Sequence, residues 1–165
     1  MSLTKTTSEV KHLSRPADEV YARLSDLRNL EALKTKFEDP EARAKLAERV
    51  PADKVEQIGE YVKTMTFTAD TVTIQSPVGE VALRIIEREP DCIKMAGEGA
   101  PIELYVWIQI LPEGEGSKMR VTVGAEVNFF MKAMISKPLA QAAEGLASII
   151  AASVDGGGAT PNLTL

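Results

Sequence analysis

The side chains best suited to catalysis in this chain are its one histidine and its one cysteine, His12 and Cys92. An imidazole titrates near neutrality, so His12 could act as a general base if its strand turns it inward. Cys92 follows a turn and has no histidine or cationic cluster nearby in sequence, which predicts an inert thiol. The chain contains no metal-ligand spacing, phosphate-binding loop or nucleophile elbow. The sequence therefore predicts no catalytic constellation, no metal site and no cofactor, and favours a protein that is not an enzyme.

Charge and composition narrow the classes of partner. The 165 residues include 19 lysines and arginines against 24 aspartates and glutamates, a formal net charge of −5. Binding to nucleic acid needs a basic surface, so this balance predicts no nucleic-acid partner. The start of the chain has no apolar signal-peptide core, and polar residues interrupt the apolar segment near its end. We therefore expect a cytoplasmic protein with no integral membrane association.

The first part of the chain predicts a strand followed by helices. Lys5 to Leu13 has a weakly alternating pattern typical of a strand, and Ser14 is placed to cap a helix that has Pro16 in its first turn. Apolar residues then recur at helical spacing as far as Leu30, which predicts a first helix and a second, short one. The segment 34–60 is charged and favours further helices.

The pattern changes after Gly59. From about Tyr61 to Asn128, apolar and polar residues alternate in six consecutive segments separated by short turns. Together with the first segment they predict a seven-stranded curved antiparallel sheet, and hence an α+β fold. Asn128 is placed to cap a long apolar helix that runs to Val154. We predict one domain over residues 1–154 and a flexible, glycine-rich tail over 155–165.

The order of strand, two helices, six strands and long helix resembles the helix-grip fold of the START-like, or SRPBCC, superfamily, which includes the birch-pollen allergens and polyketide cyclases. Leu13–Tyr21 (LSRPADEVY) is similar to the family's passage from first strand to first helix, and Met131–Leu139 (MKAMISKPL) to the start of its last helix. The resemblance implies a cavity between sheet and last helix that holds a hydrophobic small molecule or lipid. Segment 34–60 is longer than the family's usual connection and could form a lid or an ordinary surface helix.

Alternation along the strands predicts which side chains face the last helix. The aliphatic face must be the inner one, because charged residues such as Glu103, Glu126, Arg84 and Lys94 fall on the opposite face, where cross-strand ion pairs are expected. The residues predicted to line a ligand cavity are Met65, Phe67, Ile74, Leu83, Ile85, Met95, Leu104, Val106, Ile108, Val121, Val123, Met134, Leu139 and Leu146.

Tyr105 and Trp107 fall on the outer face of a central strand by the same alternation. Exposed aromatic residues are enriched at interfaces, so the two residues could form a surface for homodimerisation. The alternative is that they cover neighbouring side chains of their own sheet.

Three functions follow from these observations. The leading hypothesis is binding of a hydrophobic small molecule or lipid in an apolar cavity, with the physiological role unknown. The second is a polyketide cyclase or dehydratase-like enzyme, which would need an inward acid, base or hydrogen-bond donor, with His12, Tyr21 and Asn128 as candidates. The third is a protein-interaction module that uses the outer face of the sheet.

Overall fold

The computed structural model describes residues 2–31, 39–48, 51–76, 79–99 and 103–155. The helical segments in these ranges are α1 (Ala17–Leu24), a 3-10 turn (Leu27–Leu30), α2 (Pro40–Ala47), α3 (Ala52–Thr64) and α4 (Phe129–Asp155). The strands are β1 (Ser2–Thr7), β2 (Lys11–Leu13), β3 (Thr66–Phe67), β4 (Thr71–Ser76), β5 (Gly79–Glu89), β6 (Cys92–Glu98), β7 (Glu103–Glu113) and β8 (Gly116–Val127).

These strands form one antiparallel sheet with the order β1-β8-β7-β6-β5-β4-β3, in which β2 also pairs with β8. The last six strands are neighbours in the order of the chain, so the predicted α+β class with a curved antiparallel sheet and a long C-terminal helix is confirmed. α4 lies across the inner face of the sheet and contacts β8, β1 and β2 most extensively. Small residues on α4, including the fully buried Ala143 and Ala147, allow this close approach. None of the helices in the described ranges is long and apolar enough to cross a membrane.

The first strand is broken in two, which corrects the prediction of one strand from Lys5 to Leu13. Thr7 lies opposite Thr122 and Lys11 opposite Met119, so three residues of this edge face two residues of β8. Ser8 fills the break with its own groups: its N–H donates to the carbonyl of Val121 (2.8 Å), and its Oγ accepts from the N–H of Val121 (3.0 Å). An extra residue that interrupts the ladder in this way is a β-bulge.

Two helix boundaries also differ from the prediction. α1 begins at Ala17, and Pro16 rather than Ser14 occupies the N-cap position. α3 continues to Thr64, past the predicted end of helix near Gly59, because Val62 is buried where α3 packs against β4. The expected second short helix is the 3-10 turn, in which the carboxylate of Asp26 accepts from the N–H of Arg28 (3.1 Å).

The long helix begins where the sequence predicted. Asn128 precedes α4, and its Oδ1 accepts a hydrogen bond from the N–H of Met131 (2.9 Å), which confirms the cap. The lid suggested for segment 34–60 would pack through its apolar residues Leu46, Val50, Val55 and Ile58. Their side chains lie outside the described residues, as does the tail 156–165.

Candidate functional site

A row of inward-facing residues crosses the concave face of the sheet. Phe67 lies opposite Val72, which is opposite Leu83, which is opposite Gly97. A Cβ atom on Gly97 would stand 3.0 Å from the Cβ of Leu104, so the row continues into β7. Leu104 is opposite Ala125, and Ala125 is opposite Thr4. We call this set the cross-sheet row: Phe67, Val72, Leu83, Gly97, Leu104, Ala125 and Thr4.

Burial distinguishes this row from the next one along the strands. Ile85, Met95, Val106 and Val123 lie opposite one another in turn, and all four side chains are buried. The large apolar residues of the cross-sheet row, by contrast, are only half-buried: Phe67, Val72, Leu83 and Leu104. The two small residues of that row are already covered, because a Cβ on Gly97 would meet Leu104 and Ala125 is fully buried. The concave face therefore has a closely packed part and an adjoining apolar part that is incompletely covered.

One flank of α4 is fixed by Glu144. Its carboxylate accepts a hydrogen bond from the N–H of Glu9 and pairs with the Lys11 ammonium (3.0 Å). Partial burial raises the pKa of Glu144, but the hydrogen bond from the Glu9 N–H and the charge of Lys11 together outweigh this effect. The pKa of Glu144 therefore lies below its ordinary value. These contacts hold α4 against the β1–β2 edge.

The opposite flank of α4 is apolar. At about 100° of rotation per residue, Ile135, Leu146 and Ile149 lie on the side of the helix away from Glu144. All three are half-buried and pack against the core cluster. Because Glu144 faces the β1–β2 edge, this apolar flank points away from that edge, towards the side of the sheet that carries the β7 to β3 part of the cross-sheet row. The row and the flank together form the candidate ligand surface.

The polar groups of this surface are few. None of the buried side chains in the described part of the chain is charged. Ser117 is fully buried but donates through its Oγ to the carbonyl of Arg15 (2.7 Å). Thr4, 8% exposed, differs, because its Oγ1 has no hydrogen-bond partner among the described residues. An unpaired hydroxyl is thus placed at the end of an otherwise apolar row.

The residues predicted to line a cavity fall into two main groups. Five are half-buried and pack on the core cluster: Met65, Phe67, Leu83, Leu104 and Leu146. Seven are buried within it: Ile85, Met95, Val106, Ile108, Val121, Val123 and Leu139. Met134 departs from the prediction, because the α4 residues before Ile135 are all exposed and Met134 itself is 75% exposed. The side chain of Ile74 lies outside the described residues, and ligand contact stays a prediction for all of them.

The three candidates for an inward acid or base are not brought together. His12 is exposed and its Nδ1 lies 2.6 Å from Oε1 of Glu113, a partner that nothing in the local sequence indicated. Asn128 caps α4 beyond the opposite end of β8, and ten residues of extended chain separate the two ends by about 30 Å. Tyr21 is half-buried against the core cluster. The described residues therefore assemble no acid–base pair on the concave face.

Cys92 lies opposite Gln109, on the outer face of the sheet, and is half-buried. Burial raises the pKa of its thiol, and the nearby carboxylates of Asp91 and Glu89 raise that pKa further. A thiolate is the reactive form of cysteine, so this environment suppresses nucleophilic chemistry.

Tyr105 and Trp107 lie on the outer face, and each is half-buried. Their ring centroids are 5.9 Å apart, with the Lys5 ammonium 4.6 Å from the Trp107 centroid and the Lys94 ammonium 5.3 Å from that of Tyr105. A Cβ on Gly124 would approach the Trp107 ring to 3.0 Å, so the indole lies directly over this glycine. Trp107 thus covers a neighbouring residue of its own sheet, as the alternative interpretation expected. Homodimerisation through this face stays a prediction.

The outer-face carboxylates follow the expected ion-pair pattern only in part. Arg84 pairs with Glu98 (3.2 Å), as cross-strand charges were expected to do. Glu103, however, lies directly opposite Glu126, so the ion-pair expectation is wrong for these two residues. The hydrogen bond with Glu103 and the negative charge of Glu103 raise the pKa of Glu126. Alternation identifies the face but not which charges meet, because that depends on the register between strands.

No protein-family model matches the chain, and no curated protein matches it in sequence. Its structure is similar to that of a truncated norcoclaurine synthase from Thalictrum flavum, with a TM-score of 0.60, 9% identity and 98% of each chain covered. The complex of that plant's synthase with dopamine and hydroxybenzaldehyde gives a TM-score of 0.60 at 10% identity, over 94% of this chain and 86% of the other. The structure of Ara h 8.0201 gives a TM-score of 0.54 at 10% identity, over 94% of this chain and 97% of the other. The chain therefore has the helix-grip fold that these proteins share.

Proposed function

We propose that this protein binds a hydrophobic small molecule or lipid between the cross-sheet row and the apolar flank of α4. The observation that carries the proposal is the half-buried state of Phe67, Val72, Leu83 and Leu104 beside a fully packed row of the same face. Completing the burial of apolar surface contributes about 25 cal/mol per Å², so a ligand that covers these side chains gains affinity from area alone. The Thalictrum synthase, bound to dopamine and hydroxybenzaldehyde, gives a precedent for small organic ligands in this fold.

The polar groups define the ligand further. An ionised ligand group would be buried without a counter-charge, because the buried side chains of the described residues are all uncharged. One neutral donor or acceptor, in contrast, would find the unpaired Thr4 hydroxyl. The ligand proposed is therefore largely apolar and uncharged, with a single hydroxyl or carbonyl group.

The cyclase or dehydratase hypothesis has less support. It needs an acid or base that reaches the concave face, and His12 lies instead in an exposed pair with Glu113. Asn128 uses its side-chain oxygen to cap α4. Binding without chemistry is the function that the described residues support better.

Native mass spectrometry of protein purified from its own host tests the proposal directly. We expect an additional mass, of a neutral apolar compound, that is lost on denaturation. Leu146→Trp places a larger side chain on the apolar flank and should abolish the added mass and the uptake of a fluorescent apolar probe. Ile86→Trp is the matched control, because Ile86 is 46% exposed and away from the concave face.

Comparing the stability of the same tryptophan substitution at Leu139 and at Leu146 distinguishes a ligand surface from packed core. Leu139 is 7% exposed, so Leu139→Trp should destabilise the fold by about 1–3 kcal/mol through overpacking. Leu146 is half-buried, and Leu146→Trp should cost clearly less. The proposal fails if the folded Leu146→Trp protein carries the same mass and binds the probe as the wild type does. It also fails if wild-type protein carries no ligand and takes up no apolar probe.

A further inference from the structure

The first two turns of α4 expose an unusual concentration of large apolar side chains. Phe129 is 84% exposed, Phe130 83%, Met134 75% and Met131 37%. These four make up half of the eight large apolar residues that are exposed in the described part of the chain, and they all lie within six consecutive positions, 129–134. The two phenyl rings contact each other edge to face, with centroids 6.1 Å apart. We call this set the helix-start patch.

The charged residues on the first turns of α4, which carry the helix-start patch, have one sign. Lys132 and Lys137 lie on the same turns, and the stretch 129–143 contains no acidic residue. Lys132 follows Phe129 by three positions and Lys137 follows Met134 by three, so each ammonium lies beside an apolar side chain of the patch. The described structure gives neither lysine an ion pair. The nearest acids along the chain face elsewhere: Glu126 lies on the outer sheet face, and Glu144 binds Lys11.

We propose that the helix-start patch docks the protein on an anionic lipid bilayer. Aromatic and methionine side chains that stand clear of the protein can enter the boundary between headgroups and acyl chains, while adjacent lysines bind anionic headgroups. Both features are needed, because the chain as a whole has a net charge of −5 and would otherwise be repelled by such a surface. This docking is peripheral and does not require a ligand on the concave face.

A second copy of the chain fits the patch less well. A stable protein interface buries about 800 Å² on each partner, whereas two phenylalanines and two methionines offer on the order of 500 Å². A symmetric contact would also bring Lys132 and Lys137 of one copy towards those of the other. Charge complementarity therefore favours the lipid surface.

Co-sedimentation of the full chain with vesicles tests this docking. We expect binding to phosphatidylcholine vesicles that contain phosphatidylserine, weaker binding to phosphatidylcholine alone, and a loss of the difference at high salt. The double variant Phe129→Ser, Phe130→Ser should bind about a hundredfold more weakly, at roughly tenfold for each ring. The double variant Lys132→Gln, Lys137→Gln should bind the phosphatidylserine vesicles more weakly, by about fivefold in affinity for each lysine, and should bind phosphatidylcholine vesicles as the wild type does.

The matched control is Ile86→Ser with Leu111→Ser, which removes two similarly apolar side chains that are 46% and 43% exposed elsewhere. It should bind vesicles as the wild type does. The inference is overturned if wild-type protein does not sediment with either kind of vesicle, or if the phenylalanine variant binds unchanged. Lysine variants that keep the preference for phosphatidylserine overturn the anionic-lipid assignment. A phenylalanine variant that turns a dimer into a monomer, while the wild type ignores vesicles, assigns the patch to a second copy instead.

Discussion

Replacing Thr4 with valine should change stability and ligand affinity in opposite directions. The Thr4 side chain is 8% exposed, and its Oγ1 has no partner among the described residues. A buried hydroxyl left unpaired costs about 1–3 kcal/mol, whereas valine has nearly the same shape without the polar group. Thr4→Val should therefore stabilise the ligand-free protein by about 1–2 kcal/mol. For a domain of this size, that raises the melting temperature by roughly 2–8 °C.

Affinity should fall in the same variant. If the ligand hydroxyl or carbonyl pairs with Thr4, its loss costs about 1 kcal/mol, or roughly fivefold in Kd. Urea unfolding of ligand-free protein and titration with the compound identified by mass spectrometry measure the two effects separately. Thr7→Val is the control: Thr7 Oγ1 lies 2.9 Å from Thr122 Oγ1 on the outer face, so this change should not stabilise the protein or alter affinity. A destabilised Thr4→Val protein would refute the reasoning, because it would mean that the hydroxyl has a partner in the folded state.

Three further predictions concern the outer face. Because the hydrogen bond and charge of Glu103 raise the pKa of Glu126, the folded state holds this proton more tightly than the unfolded chain. Stability from this group is present at acid pH and lost as the pH rises from 4.5 through the raised pKa, and Glu126→Gln should flatten that dependence in urea midpoints. The raised pKa of Cys92 predicts slower alkylation by iodoacetamide in the folded protein than in the urea-unfolded chain; equal rates would contradict it. If two copies associate through Tyr105 and Trp107, Trp107→Glu should lower the mass measured by light scattering, and an unchanged mass would end that hypothesis.

The inner face of the sheet could be predicted from the sequence because side chains alternate along a strand with a fixed period of two. The strand order could be predicted because short turns join the last six strands. Val121 and Val123 are buried on the inner face, and Arg120, which precedes Val121 and so faces the other side, is exposed. The break at Ser8 could not be read in the same way, because it depends on bonds to Val121, more than a hundred residues away. Thr4 was missed because the predicted strand began one residue later, at Lys5.

The helix shows the same limit. Periodicity placed Leu139 correctly on the buried side of α4, since side chains three or four residues apart share a face. It also placed Met134 on that side, but periodicity cannot tell where along its length a helix leaves the sheet. The exposure of Met134 depends on how far α4 extends past the strands beneath it. The pair formed by His12 and Glu113 likewise required the register of β2 and β7 on β8.

The pairing of β1 with β8 has a consequence for how the chain folds. Ser2 lies opposite Val127 and Thr7 opposite Thr122. β1 therefore cannot join the sheet until β8, more than a hundred residues later in the chain, has been synthesised. Contacts so distant in sequence slow folding and lengthen the time for which the backbone edge of β8 stays open. An open edge of this length is a template for pairing with other chains. Removal of residues 2–7 should therefore lower the yield of folded protein through aggregation, because it leaves the edge of β8 unpaired.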